Sequence, residues 1–161
     1  MGFLATWNYS NAQAKNSRPL RTLIFAGDYD YGNNIEKGPV GSMSIFPETD
    51  TTVLFFASLN RGAPGYNMGE LYGRLTVANG AGTFTSNPEG QEKSCKWICE
   101  FKKDKLIIRT LNDQDACGFG FHVYMDGTFK RKSVSVPAYF IDLTGKKYYF
   151  SKTKPEGWMS Q

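Results

Sequence analysis

Between residues 20 and 151 apolar side chains recur at close to every second position in short runs, and each run stops at a glycine, proline or Asx-rich break. A period of two places alternate side chains on opposite faces of an extended chain, so such a sequence folds by covering one face of many short strands. No stretch carries a convincing helical period; the best candidate, residues 68–74, contains Gly69 and Gly73 and reads as a loop entering a strand. Aromatic residues make up 15% of the chain and glycines number 17, the mixture that suits pleated surfaces joined by tight turns. The fold class expected is all-β: a single antiparallel meander β-barrel or a sandwich, of about nine to eleven short strands.

The runs themselves mark the strands. Residues 20–26 form a compact apolar run ended by Gly27 and Asp28, and residues 40–46 alternate until Pro47. Residues 52–59 read as the most buried segment, followed by a loop at 60–66 rich in glycine and proline, and residues 71–78 read as the next strand. Asn79-Gly80 is the strongest hairpin signal, because both residues tolerate the positive φ of a type I′ turn, and residues 82–86 return from it. Cys95, Trp97, Cys99 and Phe101 share one face of an alternating strand, Lys103-Asp104 turns the chain, and residues 106–110 come back. Residues 119–125, turned at Asp126-Gly127 into 128–132, read as a further hairpin, and residues 138–143 and 146–151 flank Gly145 as another.

A chain of 161 residues suffices for one core without a second domain. The division expected is a poorly ordered segment at 1–18, a β-barrel domain at 19–152 and a tail at 153–161, onto which Trp158 could dock. The net charge of +4 is spread with acids interspersed, an ordinary solvated surface, and no run approaches the length of a membrane span, so no membrane is expected as partner. The apolar patch at 1–7 is too short for a secretory signal, Ala12 and Ala14 only faintly resemble a cleavage site, and Asn8-Tyr9-Ser10 is a short glycosylation sequon. The protein is therefore expected in the periplasm or secreted if a signal peptide has been removed, and in the cytoplasm otherwise.

Cysteines give the most specific local argument. Cys95 opens the inward face of its strand and Cys117 lies where a neighbouring strand would begin, so the two are placed to bridge, while Cys99 sits among Trp97 and Phe101 as a small buried side chain. The alternative is that all three stay reduced in a cytosolic core. Their spacing fits no zinc finger, with only one histidine to complete it.

The pieces Gly69-Glu70-Leu71-Tyr72-Gly73, Cys-x-Trp-x-Cys-x-Phe at 95–101, Leu106-Ile107-Ile108, Cys117-Gly118-Phe119-Gly120 and the stretch from Val123 through Asp126-Gly127-Thr128-Phe129 together resemble small, mostly uncharacterised bacterial exported domains. Some of those relatives are lysozyme inhibitors of the LprI type. Over residues 40–133 the resemblance implies a calycin-like barrel with a bridge between Cys95 and Cys117. The hairpin at 138–150 lies beyond that pattern, and Cys99 stands where the relatives usually carry an apolar residue.

No catalytic constellation emerges. Any hydrolytic triad depends on His122, the single histidine, whose plain reading is a half-exposed strand residue. Asp28, Asp30, Glu36 and Glu70 are carboxylates of the kind a glycosidase needs, without a spacing that demands it. The oxygen-rich stretch at 28–36 lacks the register of a calcium loop, so neither metal nor cofactor is expected. The same stretch offers an aromatic and polar recognition surface, with Asp28, Tyr29, Asp30, Tyr31, Asn33, Tyr66, Asn67 and Glu70 as candidate ligand-binding residues on loops 28–36 and 60–70. The sequence thus reads as a noncatalytic binding module for a protein or glycan, with inhibition of a cell-wall hydrolase as its specific form. The alternatives are a hydrolase using carboxylates or His122 and, less favoured for lack of any diagnostic motif, a binder of single-stranded nucleic acid.

Overall fold

A computed structural model describes residues 18–87, 92–112 and 114–158. The expectations for residues 1–17, including the sequon and the leader question, and for residues 159–161 lie outside the described residues. The alternating runs become β1 (Gly27–Tyr31), β2 (Val40–Pro47), β3 (Thr52–Asn60), β4 (Met68–Ala78), β5 (Ala81–Ser86), β6 (Cys95–Phe101), β7 (Lys105–Thr110) and β8 (Gly127–Ser133). Each pairs antiparallel with the next and β1 closes on β8, so the sheet is an eight-stranded meander barrel rather than a sandwich. A separate hairpin, β9 (Tyr139–Ile141) and β10 (Lys147–Tyr149), and a final helical turn, α1 (Pro155–Trp158), complete the described chain.

Inward-facing residues of every strand fill the barrel. Phe55 meets Phe84 and Trp97 at 5.2 and 5.1 Å between ring centroids, Phe84 stacks on Trp97 at 5.0 Å, and Met43, Ile45, Leu75, Leu106, Ile108 and Phe129 pack around them. Trp97 and Phe101 share this interior with Cys95 and Cys99, as their common strand face requires. The expected Cys95–Cys117 bridge is formed, with 4.4 Å between the Cα atoms, and Cys99 is a free, buried thiol pushed up to about 12 by desolvation.

A second core lies outside the barrel. Residues 53–57 of β3 are buried without a break because Phe56 and Leu54 face outward into a cluster with Tyr72, Phe140, Tyr148 and Phe150. Phe140 stacks on Phe56 at 4.2 Å and also meets Tyr72, Tyr148 and Phe150, so the β9–β10 hairpin is bolted to β3 and β4 by rings. Trp158 docks edge-on against Phe56 and Tyr72, and Arg74 ties the same region with a two-pronged pair to Glu48, at 2.6 and 2.9 Å, and a contact to Glu156 of α1.

Three expectations fail, each for a local reason. Residues 20–26 are not a strand: Arg21–Phe25 is a 3₁₀ turn, which brings Thr22 and Phe25 onto one side while Leu23 and Ile24 stay exposed. Phe25 then plugs one barrel end against Phe101 at 4.4 Å, held by the Tyr29 hydroxyl donating to its carbonyl at 2.9 Å. Residues 68–74 are strand throughout, since Gly69 and Gly73 are places where the Phe119 and the Phe55 and Phe84 rings come closer than a Cβ would allow. Residues 119–125 form no strand, and Asp126-Gly127 no hairpin; β7 pairs directly with β8 and residues 111–126 bridge them across the barrel end. The Asn79-Gly80 turn is as expected, with φ of 52° and 74°.

Two outcomes test this architecture. Phe140→Ala should cost about 3 kcal/mol in urea unfolding, since it empties the hub of the outer core; a loss under about 1 kcal/mol would mean the hairpin does not contribute to the cooperative unit. The Arg74 hydrogen bonds hold the Glu48 carboxyl below its usual range, so its contribution is present above the unfolded carboxylate pKa and disappears as pH falls through the depressed folded value. Glu48→Gln should therefore lower stability at neutral pH by about 1 kcal/mol, a modest figure because the guanidinium is partly exposed, and flatten the acid limb of a stability-versus-pH curve.

Candidate functional site

An antiparallel meander sends its connections alternately to the two ends of the barrel. One end carries the short connections 48–51, 79–80 and 102–104; the other carries 32–39, 61–67 and the described residues of 111–126. The long connections are stapled to one another. The Ala63 amide donates to the Ile35 carbonyl at 2.9 Å, and the Tyr66 hydroxyl donates to Glu36 at 2.6 Å, so the first two expected recognition loops are joined. The Asn67 side chain donates to the Phe121 carbonyl at 3.0 Å, the Gly120 amide to the Met68 carbonyl at 3.0 Å, and the bridge from Cys95 to Cys117 anchors the base of the third.

The expected binding residues divide by strand geometry. Residues 28–31 belong to β1 and not to a loop, so they alternate between faces. Tyr29 is 1% exposed inside the barrel, under the Arg131 guanidinium at 5.4 Å, and is a core residue. Asp28 faces outward and accepts the Ser44 hydroxyl at 2.6 Å, while Asp30, also outward, lies 3.9 Å from Lys132. Tyr31 sits half-buried at the rim against Phe129, and Asn33 is exposed in the loop beyond it. Tyr66 is exposed with φ of 50°, Asn67 spends its amide on the 111–126 connection, and Glu70 on the outer face of β4 accepts the Leu143 amide at 3.0 Å. Burial and the nearby Asp142 raise the Glu70 carboxyl above its ordinary range.

Sequence reading passed over the most prominent feature of this end. Phe121 is 69% exposed at the tip of its connection, with the His122 ring stacked on it at 3.8 Å, the Arg61 guanidinium 5.8 Å from its centre, and Tyr124 beyond. His122 is therefore no strand residue; it is an exposed turn residue with φ of 59°, a conformation histidine adopts more readily than most. Phe119, Phe121, Val123 and Met125 alternate in sequence, which disguises the turn, yet Val123 and Met125 are buried while Phe121 stands out. The neighbouring Gly118 and Gly120 beside a bridged cysteine were the signal available.

Cys117 is bridged, so no thiolate pairs with His122. Asp30 and Glu70 stand on one cross-strand row with Ser42 and Ser58 between them, three inter-strand steps or roughly 14 Å apart, wider than a hydrolytic carboxylate pair. Among the described residues no three His, Cys, Asp or Glu side chains converge as metal ligands. Beside this row, on the flank of β1, β2 and β3, lies an open cleft of about 500 Å³ bordered by Asp30, Tyr31, Asn33, Ser42, Ser58 and Met68. Compared with protein-family models, curated proteins and solved structures, the chain matches none.

Asn67→Ala removes the clamp on the Phe121 tip without touching either core. Amide exchange at residues 119–122 should accelerate about tenfold while the barrel strands keep their protection; unchanged exchange at the tip would show that the bridge and the Gly120–Met68 hydrogen bond hold it without Asn67.

Proposed function

We propose that this chain is a noncatalytic binding module that engages a protein partner through the stapled end of its barrel, acting outside the cytoplasm as an inhibitor of a cell-wall hydrolase. The observation that carries the reading is Phe121: a large apolar ring held out into solvent on a connection fixed by a disulfide, two backbone-directed hydrogen bonds and the wedge of Phe119 on Gly69. Fixing such a ring beforehand reduces the ordering entropy lost on association. Arg61 lies over the ring, His122 stacks on it and Tyr124 follows, so it is flanked by an arginine and a tyrosine, residue types enriched in binding hot spots. The compartment follows from redox chemistry, since a bridge of this kind persists where thiols are oxidised. Inhibition as the specific form rests on the resemblance at residues 69–73, 95–101 and 117–120.

Adding the oxidised protein to a c-type lysozyme acting on a cell-wall suspension should slow lysis in proportion to its concentration. Phe121→Ala should weaken that inhibition at least about thirtyfold, the size of a hot-spot truncation, with its urea midpoint unchanged. Full lysis in the presence of a large excess of the protein would discard the inhibitor reading.

A further inference from the structure

We infer that the cleft on the flank of β1, β2 and β3 is a carbohydrate site, separate from the Phe121 tip, that takes an uncharged glycan segment of about two sugar rings. The inference deepens the binding-module reading above by assigning a ligand class to a second surface. Its floor is the row Asp30, Ser42 and Ser58, paired directly across β1, β2 and β3 and all facing outward. Among the described residues Asp30 meets only Lys132, at 3.9 Å, so its carboxylate keeps acceptor capacity, and the two serine hydroxyls beside it both donate and accept. The apolar wall is made by the Met68 side chain, 41% exposed, with half-buried Ile35 and Val40 beside it and the Asn33 amide at the lip; the Tyr31 ring turns inward onto Phe129 and takes no part.

That combination matches a sugar in detail. A pyranose presents hydroxyls on its edges and C–H groups on its faces, so it needs short polar groups on one side and an apolar plate on the other. A peptide is served less well, because β2 is paired with β1 and β3, and β3 with β2 and β4, leaving no open backbone edge for an added strand. A phosphate or other anion would face the Asp30 carboxylate. The cleft lies where the outer core stops short: the β9–β10 hairpin reaches β4 at Glu70, which holds the Leu143 amide, while Ser58 on the next strand is half-buried and Ser42 beyond it is exposed.

The test is an amide-shift titration of the full oxidised chain with chitotetraose, cellotetraose, maltotetraose and, as a peptide probe, tetra-alanine. At least one tetrasaccharide should give saturable shifts at residues 31–33, 41–43 and 57–60, with a Kd below about 1 mM. Ser58→Trp, which fills the cleft, and Asp30→Ala, which removes the acceptor, should each weaken this at least about tenfold while the melting temperature stays within 2 °C or so of the parent. Phe121→Ala should leave it unaltered. No shift with any saccharide at several millimolar, shifts that survive Ser58→Trp, preferential response to tetra-alanine, or loss of the response in Phe121→Ala would each overturn the assignment. Saccharide binding together with an absence of lysozyme inhibition would sink the inhibitor reading and leave this one standing.

Discussion

Closure of β1 onto β8 is the constraint from which the rest of the molecule follows. β1 is a short strand that must pair with β2 on one side and β8 on the other, and it does so through a register shift between Asp28 and Tyr29. Without that contact the sheet would end in two open edges and its interior rings would lie on an exposed face. Arg131 on β8 secures the junction, donating to the Ile24 and Ala26 carbonyls while its guanidinium covers the Tyr29 ring. The 3₁₀ turn before β1 then serves as a lid for the barrel end that carries short turns, which leaves the opposite end free to carry long connections.

The outer core gives the barrel a direction as well as a second layer. A closed barrel needs nothing on its outside, yet β3 is apolar on both faces and would expose Leu54 and Phe56 if the C-terminal hairpin were absent. Covering one sector makes the surface uneven: rings and aliphatic groups meet over β2 to β4, and a bare polar trough remains beside them. The stapled end and the trough share their border at residues 31–35 and 60–68, so ordering the connections also shapes the cleft wall.

Much of the barrel was legible because hairpins are local. Asn79-Gly80 names its own turn type, Lys103-Asp104 separates two strands in register, and Cys95, Trp97, Cys99 and Phe101 show their face by spacing alone. Residues 20–26 were misread because a short apolar run has no period to distinguish a strand from a turn that caps a core. Gly69 and Gly73 argued against a strand locally, while their cause is three rings that arrive from elsewhere in the chain. The candidate site suffered from the same blindness. Alternation in 28–31 was sufficient to predict that Tyr29 would turn inward, but Phe121 is presented by Asn67 and Cys95, partners whose approach only the closed topology provides.

Cys99 lies four positions from Cys95 on the same inward face of β6, with Trp97 between them, so a thiol and a disulfide share one hydrophobic interior. Exchange between them needs a thiolate, and burial keeps Cys99 protonated. Three sulfurs allow three pairings in an unfolded chain, of which barrel closure retains one by withdrawing the third from chemistry. A chain closed around Cys95 and Cys117 thus holds its third sulfur out of reach of solvent, whereas any other pairing would leave Cys95 or Cys117 as the unpaired thiol.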